Sequence, residues 1–327
     1  MKSLKIGILG ASGLVGEAIL ECIDYLKLPV SELRCFVSER SLGKSIYFRG
    51  NDYKFELMCE SRISDLDVLF GATSAQISKL YVDMIRKSHV LYIDNSSAFR
   101  LNENVPLIIP EINLSDVTCQ KLISNPNCST ILTLMAVYPI HLLFGLQRMI
   151  VSTYQAVSGA GKRGMDELIR SFSNESNDLF TSTVFPQTIM NNLISAIVEM
   201  MDNGYTSEEV KMENEARKIL HCKDLEVICT CVRVPVLRCH SISIYCECDK
   251  EVDVDLLVSY YNQISGIKLS QELPSPYHCS KQLEVHVGRL RKDHHHKNTV
   301  VLWACGDQIY KGAALNAVQI AQSILLK

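Results

Sequence analysis

The amino-acid sequence predicts an α/β protein with two domains, and three observations lead to this prediction. The chain has 327 residues, 47% hydrophobic and 21% charged, a globular composition long enough for two domains of roughly 100–200 residues each. Up to about residue 125, short apolar runs alternate with helical patterns, which is typical of a parallel sheet covered by helices. Beyond that point, longer alternating segments indicate a mixed sheet.

The first domain is predicted to span residues 1–125. Its strands are short and continuously apolar, as expected for strands that are buried on both faces. The segments between them repeat apolar residues with helical spacing. The predicted strands are Leu4–Leu9, Glu32–Ser38, Asp67–Phe70 and Val90–Asp94, and the predicted helices are Val15–Leu26 and Ile77–Lys87.

The second domain is predicted to span residues 126–311 and to be of the α+β type. Its longer strands are expected at Met149–Val157, Val227–Val236 and Ile242–Cys248. Residues 312–327 return to a helical pattern with a single apolar stripe. We expect this last helix to pack on the first domain and to complete it.

Charge and hydropathy argue against nucleic acid and membranes as partners. The formal net charge is −3, and no long run of Lys and Arg offers a surface for phosphate backbones or anionic lipids. The longest apolar stretch, residues 131–146, is shorter than the ~20 residues of a membrane span and contains Pro139 and His141. With no signal-peptide pattern, we expect a cytoplasmic protein whose 13 cysteines are reduced.

Two groups of residues raise the question of a metal site. Residues 294–296 are three adjacent histidines between charged residues, a pattern more typical of a solvated loop than of ligands on one helix face. Two Cys-x-Cys pairs occur on neighbouring predicted strands, at Cys229, Cys231, Cys246 and Cys248. Zinc sites prefer loop-borne Cys-x-x-Cys, so we interpret these thiols as core residues and predict no metal.

A glycine-rich turn joins the first strand to the first helix. Gly10, Gly13 and Gly16 follow the strand at a spacing of three, so backbone N–H groups and the start of the helix are open to a pyrophosphate. The pattern therefore predicts a Rossmann-type first domain, and a tight turn that binds no ligand is the alternative. The predicted cofactor contacts in the turn are Gly10, Ala11, Ser12, Gly13, Leu14 and Val15.

The loop after the second strand bears on the choice between NAD and NADP. An acidic residue there binds the ribose hydroxyls of NAD, whereas an arginine accepts the 2′-phosphate of NADP. Glu39 and Arg40 are both present. Arg40, with Ser38, Ser41 and Lys44 nearby, favours NADP, with Ser38, Arg40 and Ser41 as contacts. A solvated charged loop is the alternative.

The main chemical signal is a cysteine ahead of an almost wholly apolar helix. In Ser124-Asn-Pro-Asn-Cys-Ser-Thr130, the turn at Pro126 places Cys128 at the start of that helix, with Ser129 or Thr130 as the expected cap. A helix N-terminus favours the thiolate form and hence a nucleophile. The alternative is one more buried thiol.

A nucleophilic cysteine needs a proton-transfer partner, and His240 has the most informative setting of the histidines. It follows Cys231-Val-Arg-Val-Pro-Val236. Arg233 and His240 are an odd number of residues apart, so a straight strand would separate them. Pro235 interrupts the strand, which would allow both to reach one cleft. A structural histidine is the alternative.

Five motifs together resemble the aspartate-β-semialdehyde dehydrogenase family. They follow one another across nearly the whole chain: Gly10-Ala-Ser-Gly-Leu-Val-Gly16, Ser124-Asn-Pro-Asn-Cys-Ser-Thr130, Val151-Ser-Thr-Tyr-Gln-Ala-Val-Ser-Gly-Ala-Gly161, Cys231-Val-Arg-Val-Pro-Val236 with His240-Ser241, and Lys311-Gly-Ala-Ala-Leu-Asn-Ala-Val-Gln-Ile320. The resemblance implies reduction of L-4-aspartyl phosphate by NADPH to L-aspartate 4-semialdehyde and phosphate. The pathway would lead to lysine through diaminopimelate, and to methionine and threonine.

The resemblance also implies roles for individual residues. Cys128 would form a thioester, His240 would act as general acid and base, and Gln155 would orient the substrate. Further substrate and phosphate contacts would be Arg233 for the α-carboxylate, Glu209 for the amino group, Arg100 and Lys211 for phosphate, and Asn127. On the nicotinamide side the contacts would be Ser158, Gly159 and Asn316.

The family resemblance further implies a homodimer, with the second domain serving catalysis and dimerisation. Two other functions stay open at this point. A reductase of N-acetyl-glutamyl phosphate shares the chemistry but has an acetylated amino group, which needs no carboxylate such as Glu209. A nucleotide-binding protein without catalysis is the other alternative.

Overall fold

A computed structural model describes residues 2–173 and 182–326 of the chain. The strands are β1 (Leu4–Leu9), β2 (Val30–Phe36), β3 (Ser45–Phe48), β4 (Asn51–Glu56), β5 (Val68–Gly71), β6 (Leu91–Asp94), β7 (Leu122–Ser124), β8 (Leu146–Ala156), β9 (Glu226–Val234), β10 (His240–Cys248), β11 (Ile267–Leu269), β12 (Val285–Lys292) and β13 (Thr299–Gly306). The α-helices are α1 (Leu14–Tyr25), α2 (Glu60–Ile63), α3 (Ala75–Lys87), α4 (Pro110–Asn113), α5 (Cys128–Phe144), α6 (Gly161–Ser173), α7 (Ser207–Ile219), α8 (Val254–Tyr261), α9 (Pro276–Cys279) and α10 (Leu315–Leu325).

The chain divides into two compact units. One contains the residues up to Asn127 together with those from Ala313 onward, and the other is Cys128–Gly312. The first unit has a seven-stranded sheet of order β3-β4-β2-β1-β5-β6-β7, in which only β3 runs antiparallel to its neighbour. Helix α10 packs against α1 and β6. The predicted α/β fold class with a Rossmann-type parallel sheet is confirmed.

The hairpin formed by β3 and β4 lies at the edge of this sheet and has no counterpart among the predicted strands. Its strands mix polar and apolar residues, and most of these residues are exposed or half-buried. An edge strand needs little apolar surface because one side faces solvent. Strands of the first domain are predicted from longer continuous apolar runs, and the hairpin was not predicted because it lacks one.

The second unit has a six-stranded mixed sheet of order β11-β12-β13-β10-β8-β9. Two pairs are parallel, β8 with β9 and β11 with β12, and the other pairs are antiparallel. Strand β8 therefore lies between β9 and β10. One face of the sheet is buried under α5, α7 and α8. The prediction of a mixed sheet is confirmed.

Helix α5 forms the centre of the second unit. Twelve of its 17 residues are buried, and it packs against β8, β10, β12 and β13. It begins at Cys128, so Ser129 and Thr130 lie inside its first turn. The expectation that one of them caps the helix is wrong, because a cap precedes the first helical residue.

The residues considered for metal binding occupy ordinary structural positions. The cysteines of the two Cys-x-Cys pairs are buried, and burial raises the pKa of each thiol. Residues 294–296 lie in the loop between β12 and β13. Among the helices within residues 2–173 and 182–326, none combines the length and apolar character that crossing a membrane requires.

Candidate active site

A cysteine–histidine pair stands at the start of α5. The Sγ atom of Cys128 lies 3.6 Å from Nε2 of His240, which is the first residue of β10. Cys128 is half-buried, whereas His240 is fully buried. The helix start and the ring nitrogen therefore meet at one sulfur, and both favour the thiolate.

The backbone of β8 determines which ring nitrogen of His240 carries the proton. The N–H of Ala156 donates to Nδ1 at 3.0 Å, so Nδ1 is the acceptor and we assign the proton to Nε2. Burial, and then the positive charge of Arg233, lower the pKa of His240 to about 3. The ring is therefore neutral near pH 7 and presents an N–H to the Cys128 sulfur.

Arg233 approaches the same backbone unit from the other side of β8. Arg233 is on the neighbouring strand β9, opposite Gln155 of β8. Its Nη1 donates to the carbonyl of Ala156 at 2.6 Å. Its guanidinium also lies against Gly159, where an added Cβ would be 2.7 Å from Nη1. Arg233 and His240 do reach the same place, as predicted, since both bond to Ala156. They reach it from the two strands that flank β8 and not, as predicted, through the interruption at Pro235.

Burial shapes the electrostatics of this arginine. Arg233 is 7% exposed, and desolvation lowers its pKa, while the negative charges of Cys128 and Glu208 act in the opposite direction. A guanidinium stays charged under such conditions because its ordinary pKa lies far above neutral pH. The site therefore contains a desolvated cation that can hold a carboxylate by two hydrogen bonds.

Gln155 links the end of β8 to α7. Its Oε1 accepts a hydrogen bond from the Thr153 hydroxyl at 2.9 Å, and its Nε2 lies 3.5 Å from Oε1 of Glu208. The other oxygen of Glu208 lies 3.6 Å from Nζ of Lys211, one helical turn later. Gln155, Glu208 and Lys211 thus form a polar row beside the cysteine–histidine pair.

Glu209 has a different position from the one expected of a substrate ligand. Its Oε2 accepts the N–H of Thr206 at 2.7 Å and its Oε1 accepts the N–H of Cys231 at 2.9 Å. Together with Thr206 it forms the capping box of α7. The sequence analysis did not consider Glu208. Two signals in the sequence could have identified it. The Thr-x-x-Glu spacing assigns Glu209 to the helix cap, and the i, i+3 spacing pairs Glu208 with Lys211.

The glycine turn of the first unit has the backbone geometry that only glycine supplies. Gly10 has φ +92°, and a Cβ there would lie 2.4 Å from the carbonyl oxygen of Ala72. A Cβ on Gly16 would lie 2.3 Å from the Gly10 carbonyl oxygen. The hydroxyls of Ser12 and Ser41 are 3.3 Å apart. The turn and the loop after β2 therefore meet, and the exposed Arg40 lies in that loop.

Other predicted site residues of the first unit are buried at the carboxyl edge of its sheet. Arg100 donates from Nε to the carbonyl of Asn125 and from Nη2 to that of Asn95. Asn316 donates from its side chain to Oδ1 of Asn125 and to the carbonyl of Ile108. These bonds fix both side chains.

The remaining predicted residues lie directly before the cysteine or in the turn that follows β8. Asn127 is buried directly before Cys128. Ser158 and Gly159 lie in a 3₁₀ turn, Val157–Ala160, that follows β8. The Ser158 hydroxyl accepts a hydrogen bond from Nε2 of Gln308.

The structure thus divides the predicted site residues between the two units. Cys128–Gly312 contains Cys128, His240, Gln155, Arg233, Glu209, Lys211, Ser158 and Gly159. The other unit contains Gly10, Ala11, Ser12, Gly13, Leu14, Val15, Ser38, Arg40, Ser41, Arg100, Asn127 and Asn316.

Comparisons with known proteins agree with this arrangement. Residues 5–119 match the family model described as "Semialdehyde dehydrogenase, NAD binding domain", and residues 137–311 match "Semialdehyde dehydrogenase, dimerisation domain". An aspartate-semialdehyde dehydrogenase of Campylobacter jejuni is 42% identical over 99% of this chain and 98% of its own. One of Prochlorococcus marinus is 38% identical over 100% and 97%.

A solved structure gives the same result at the level of the fold. The aspartate semialdehyde dehydrogenase II of Vibrio cholerae, complexed with ASA, has a TM-score of 0.96 at 35% identity. The match covers 100% of this chain and 99% of that one. The two family models and the full-length relatives lead to one conclusion: the chain belongs to the aspartate-semialdehyde dehydrogenase family.

Proposed function

We propose that this protein reduces L-4-aspartyl phosphate to L-aspartate 4-semialdehyde with NADPH and releases phosphate. The observation that carries the proposal is the Cys128 sulfur at the start of α5, 3.6 Å from His240 Nε2 and facing the charge of Arg233. Relatives named for this enzyme match the whole chain. The product is a precursor for lysine through diaminopimelate, and for methionine and threonine. Such a biosynthetic role agrees with a cytoplasmic location.

The reaction begins at the sulfur. The Cys128 thiolate attacks the acyl carbon, a C–S bond forms, and the bond from carbon to the phosphate oxygen breaks, which leaves a thioester and free phosphate. Bound NADPH supplies the hydride for the next step. When the resulting oxyanion collapses, the C–S bond breaks and the aldehyde leaves with the thiolate restored.

His240 is the proposed acid–base group. In the free enzyme its Nε2–H donates to the thiolate, and during reduction the same N–H stabilises the oxygen that becomes negative. In the reverse direction the Cys128 thiolate adds to the aldehyde carbon, and the same N–H stabilises the oxyanion that this addition creates, so no hydroxyl proton has to be removed.

Four polar residues would hold the two ends of the substrate. The Arg233 guanidinium suits the α-carboxylate, because its fork binds two carboxylate oxygens. Glu208, instead of Glu209, is our candidate for the α-amino group, since both oxygens of Glu209 accept backbone N–H groups. Lys211 and Arg100 would bind phosphate.

Gln155 and Asn127 complete the proposed substrate contacts. The Thr153 hydroxyl fixes the amide of Gln155, which can then orient the reacting carbonyl. The pairing of Glu208 with Lys211 gives a free amino group a carboxylate partner. An N-acetyl-glutamyl phosphate has no ammonium to use it, so this pair favours the aspartyl substrate.

The first unit is proposed to bind NADP. Its residues fit the cofactor, because the glycine turn leaves the backbone open where a Cβ would collide with neighbouring carbonyls. The Ser12–Ser41 contact brings Arg40 near the turn, in the place suited to a 2′-phosphate. Ser158, Gly159 and Asn316 stay proposed contacts on the nicotinamide side. The second unit would then provide catalysis and dimerisation.

A homodimer is proposed to form through the open face of the second sheet. Half-exposed apolar and aromatic residues occupy much of it, with the Tyr154 and Trp303 ring centroids 5.5 Å apart, and Arg148 forms ion pairs there with Glu226 and Glu247. Ile150 lies beside Tyr245, which lies opposite Val301. An extended apolar face of this kind is typical of a homodimer interface.

The test is an assay in the reverse direction, with aspartate semialdehyde, phosphate and either NADP⁺ or NAD⁺. We expect turnover with NADP⁺, and we expect Cys128→Ala to abolish turnover while NADP⁺ binding is retained. Arg40→Ala should raise the KM for NADP⁺ and leave that for NAD⁺ unchanged. Activity in Cys128→Ala would exclude the thioester, and a preference for N-acetyl-glutamate semialdehyde would identify the other reductase.

A further inference from the structure

An ion pair between the half-buried Arg238 and the fully buried Asp307 joins the two segments on either side of the cysteine–histidine pair. Arg238 lies in the loop between β9 and β10, two residues before His240. Asp307 directly follows β13 and begins the turn that leads to Gly312. A Cβ on Gly312 would lie 3.0 Å from the Cβ of Cys128. One partner is therefore next to the histidine, and the other belongs to the turn that packs against the cysteine.

The contacts of Asp307 show how firmly this pair is held. Its side chain is fully buried. Oδ2 accepts from Nε of Arg238 and from the N–H of Lys281, while Oδ1 accepts from the N–H groups of Ile309 and Tyr310. The Arg238 guanidinium also lies over the Tyr310 ring, 4.6 Å from its centre.

The backbone that connects Arg238 to His240 is in a conformation that needs such support. Cys239 has φ +76°, in the left-handed region that non-glycine residues rarely adopt because it is strained. Its N–H donates to Oε1 of Gln308, the neighbour of Asp307, at 2.8 Å. Release of the Asp307 turn would therefore also release Cys239.

We propose that Arg238 and Asp307 are positioning residues that hold the Nε2–H of His240 against the sulfur of Cys128. In the proposed reaction neither of them touches substrate or cofactor. The inference rests on the proposed function, because it assigns the sulfur as the nucleophile. A small shift of the loop would lengthen the S···N contact and weaken the thiolate, which reacts only in its ionised form.

The experiment compares Asp307→Asn, Arg238→Met and the double variant with the wild type. Arg238→Met leaves the carboxylate of Asp307 without its cation, and Asp307→Asn leaves the guanidinium of Arg238 without its anion. Each single change therefore lowers Tm, and the double variant, which removes both charges, recovers much of that loss. We expect kcat to fall about tenfold in all three, with KM for aspartate semialdehyde within about twofold, since a lost hydrogen bond to a charged group has this size. Alkylation of Cys128 by iodoacetamide, followed by mass spectrometry, should slow in parallel.

Two further variants separate positioning from stability. Asp65→Asn removes one of the two carboxylate partners of the buried Arg34 in the other unit, the second being Glu32, so it should lower Tm without slowing alkylation. Arg238→Lys keeps the charge but loses the planar fork. We expect this variant to fold, with an alkylation rate and a kcat between those of the wild type and of Arg238→Met. It also serves if the more severe variants fail to fold.

The outcomes are distinguishable. If kcat and alkylation recover together with Tm in the double variant, or if Arg238→Lys matches Asp65→Asn, the positioning role is overturned. If the wild type does not turn over aspartate semialdehyde, the proposed function fails. The alkylation rates alone would then decide the role of the ion pair.

Discussion

Glu208 and Glu209 are adjacent, yet their carboxylates have different partners. Glu209 binds the backbone N–H groups of Thr206 and Cys231, whereas Glu208 lies beside Gln155 and Lys211. On a helix, neighbouring residues point about 100° apart, so one faces the strand β9 and the other the polar row. Chemical identity alone does not distinguish them.

Glutamine substitutions should separate the two roles. Glu208→Gln should raise the KM for aspartate semialdehyde at least tenfold with little change in Tm, because it removes the charge that faces the amino group. Glu209→Gln should mainly lower stability, by about 1 kcal/mol, since it weakens a helix cap. Steady-state kinetics and thermal melting of both variants test this. A larger rise in KM for Glu209→Gln would restore Glu209 as the substrate ligand.

The buried His240 should also make stability depend on pH. Its pKa is about 3 in the folded chain and 6.5 in the reference state. Between these values the unfolded chain binds a proton that the folded chain does not, so stability is lost as the pH falls from about 6.5 towards 3. His240→Gln removes this proton uptake. Between pH 7 and 5 the variant should therefore lose about 1–2 kcal/mol less of its free energy of unfolding than the wild type.

Denaturant unfolding at the two pH values measures this difference. Glutamine keeps an N–H donor near the Cys128 sulfur, so the fold around the site should persist. An equal pH dependence in both proteins would show that His240 is not held neutral.

At the scale of an element, the turn between β1 and α1 shows how one position can limit both stability and cofactor binding. Gly10→Ala would combine φ +92° with a Cβ 2.4 Å from a backbone oxygen. Gly50→Ala has similar strain, with φ +86°, but nothing lies within 4 Å. The two variants therefore separate the cost of the backbone angle from the cost of the collision.

We expect Gly50→Ala to lose about 1 kcal/mol of stability, which is the cost of the strained angle. Gly10→Ala should lose more, and its NADP⁺ affinity should fall at least tenfold, because the turn must move. Thermal melting and fluorescence titration with NADPH provide the two measurements. Equal losses in both variants, with affinity unchanged, would contradict a cofactor role for the turn.

At the scale of the whole molecule, the open sheet face predicts the oligomeric state. Ile150→Asp places a charge at the centre of the half-exposed apolar face, and a desolvated charge opposes association. We expect it to convert the dimer to a monomer in light scattering after size-exclusion chromatography. Leu80→Asp, on exposed α3 of the other unit, is the control and should stay dimeric. A dimer in both would place the interface elsewhere.

Particular elements show how far the sequence analysis reached. The strands β1, β5 and β6 lie within about two residues of their predicted bounds, because buried parallel strands are continuous apolar runs. The hairpin of β3 and β4 was not predicted, since edge strands carry a weak apolar signal. Within the site, Cys128 and His240 lie in contact, as their proposed pairing requires.

The sequence by itself determined the two-unit α/β order, the glycine turn, and a cysteine at the start of an apolar helix. These features depend on local periodicity and on residue type, which the chain carries wherever it folds. Only the tertiary structure decided that β8 separates Arg233 from His240, which nitrogen of His240 faces the sulfur, and that Glu208 and not Glu209 joins the polar row. Those arrangements depend on the pairing of strands distant in sequence and on competition for backbone hydrogen bonds, and no local pattern encodes either.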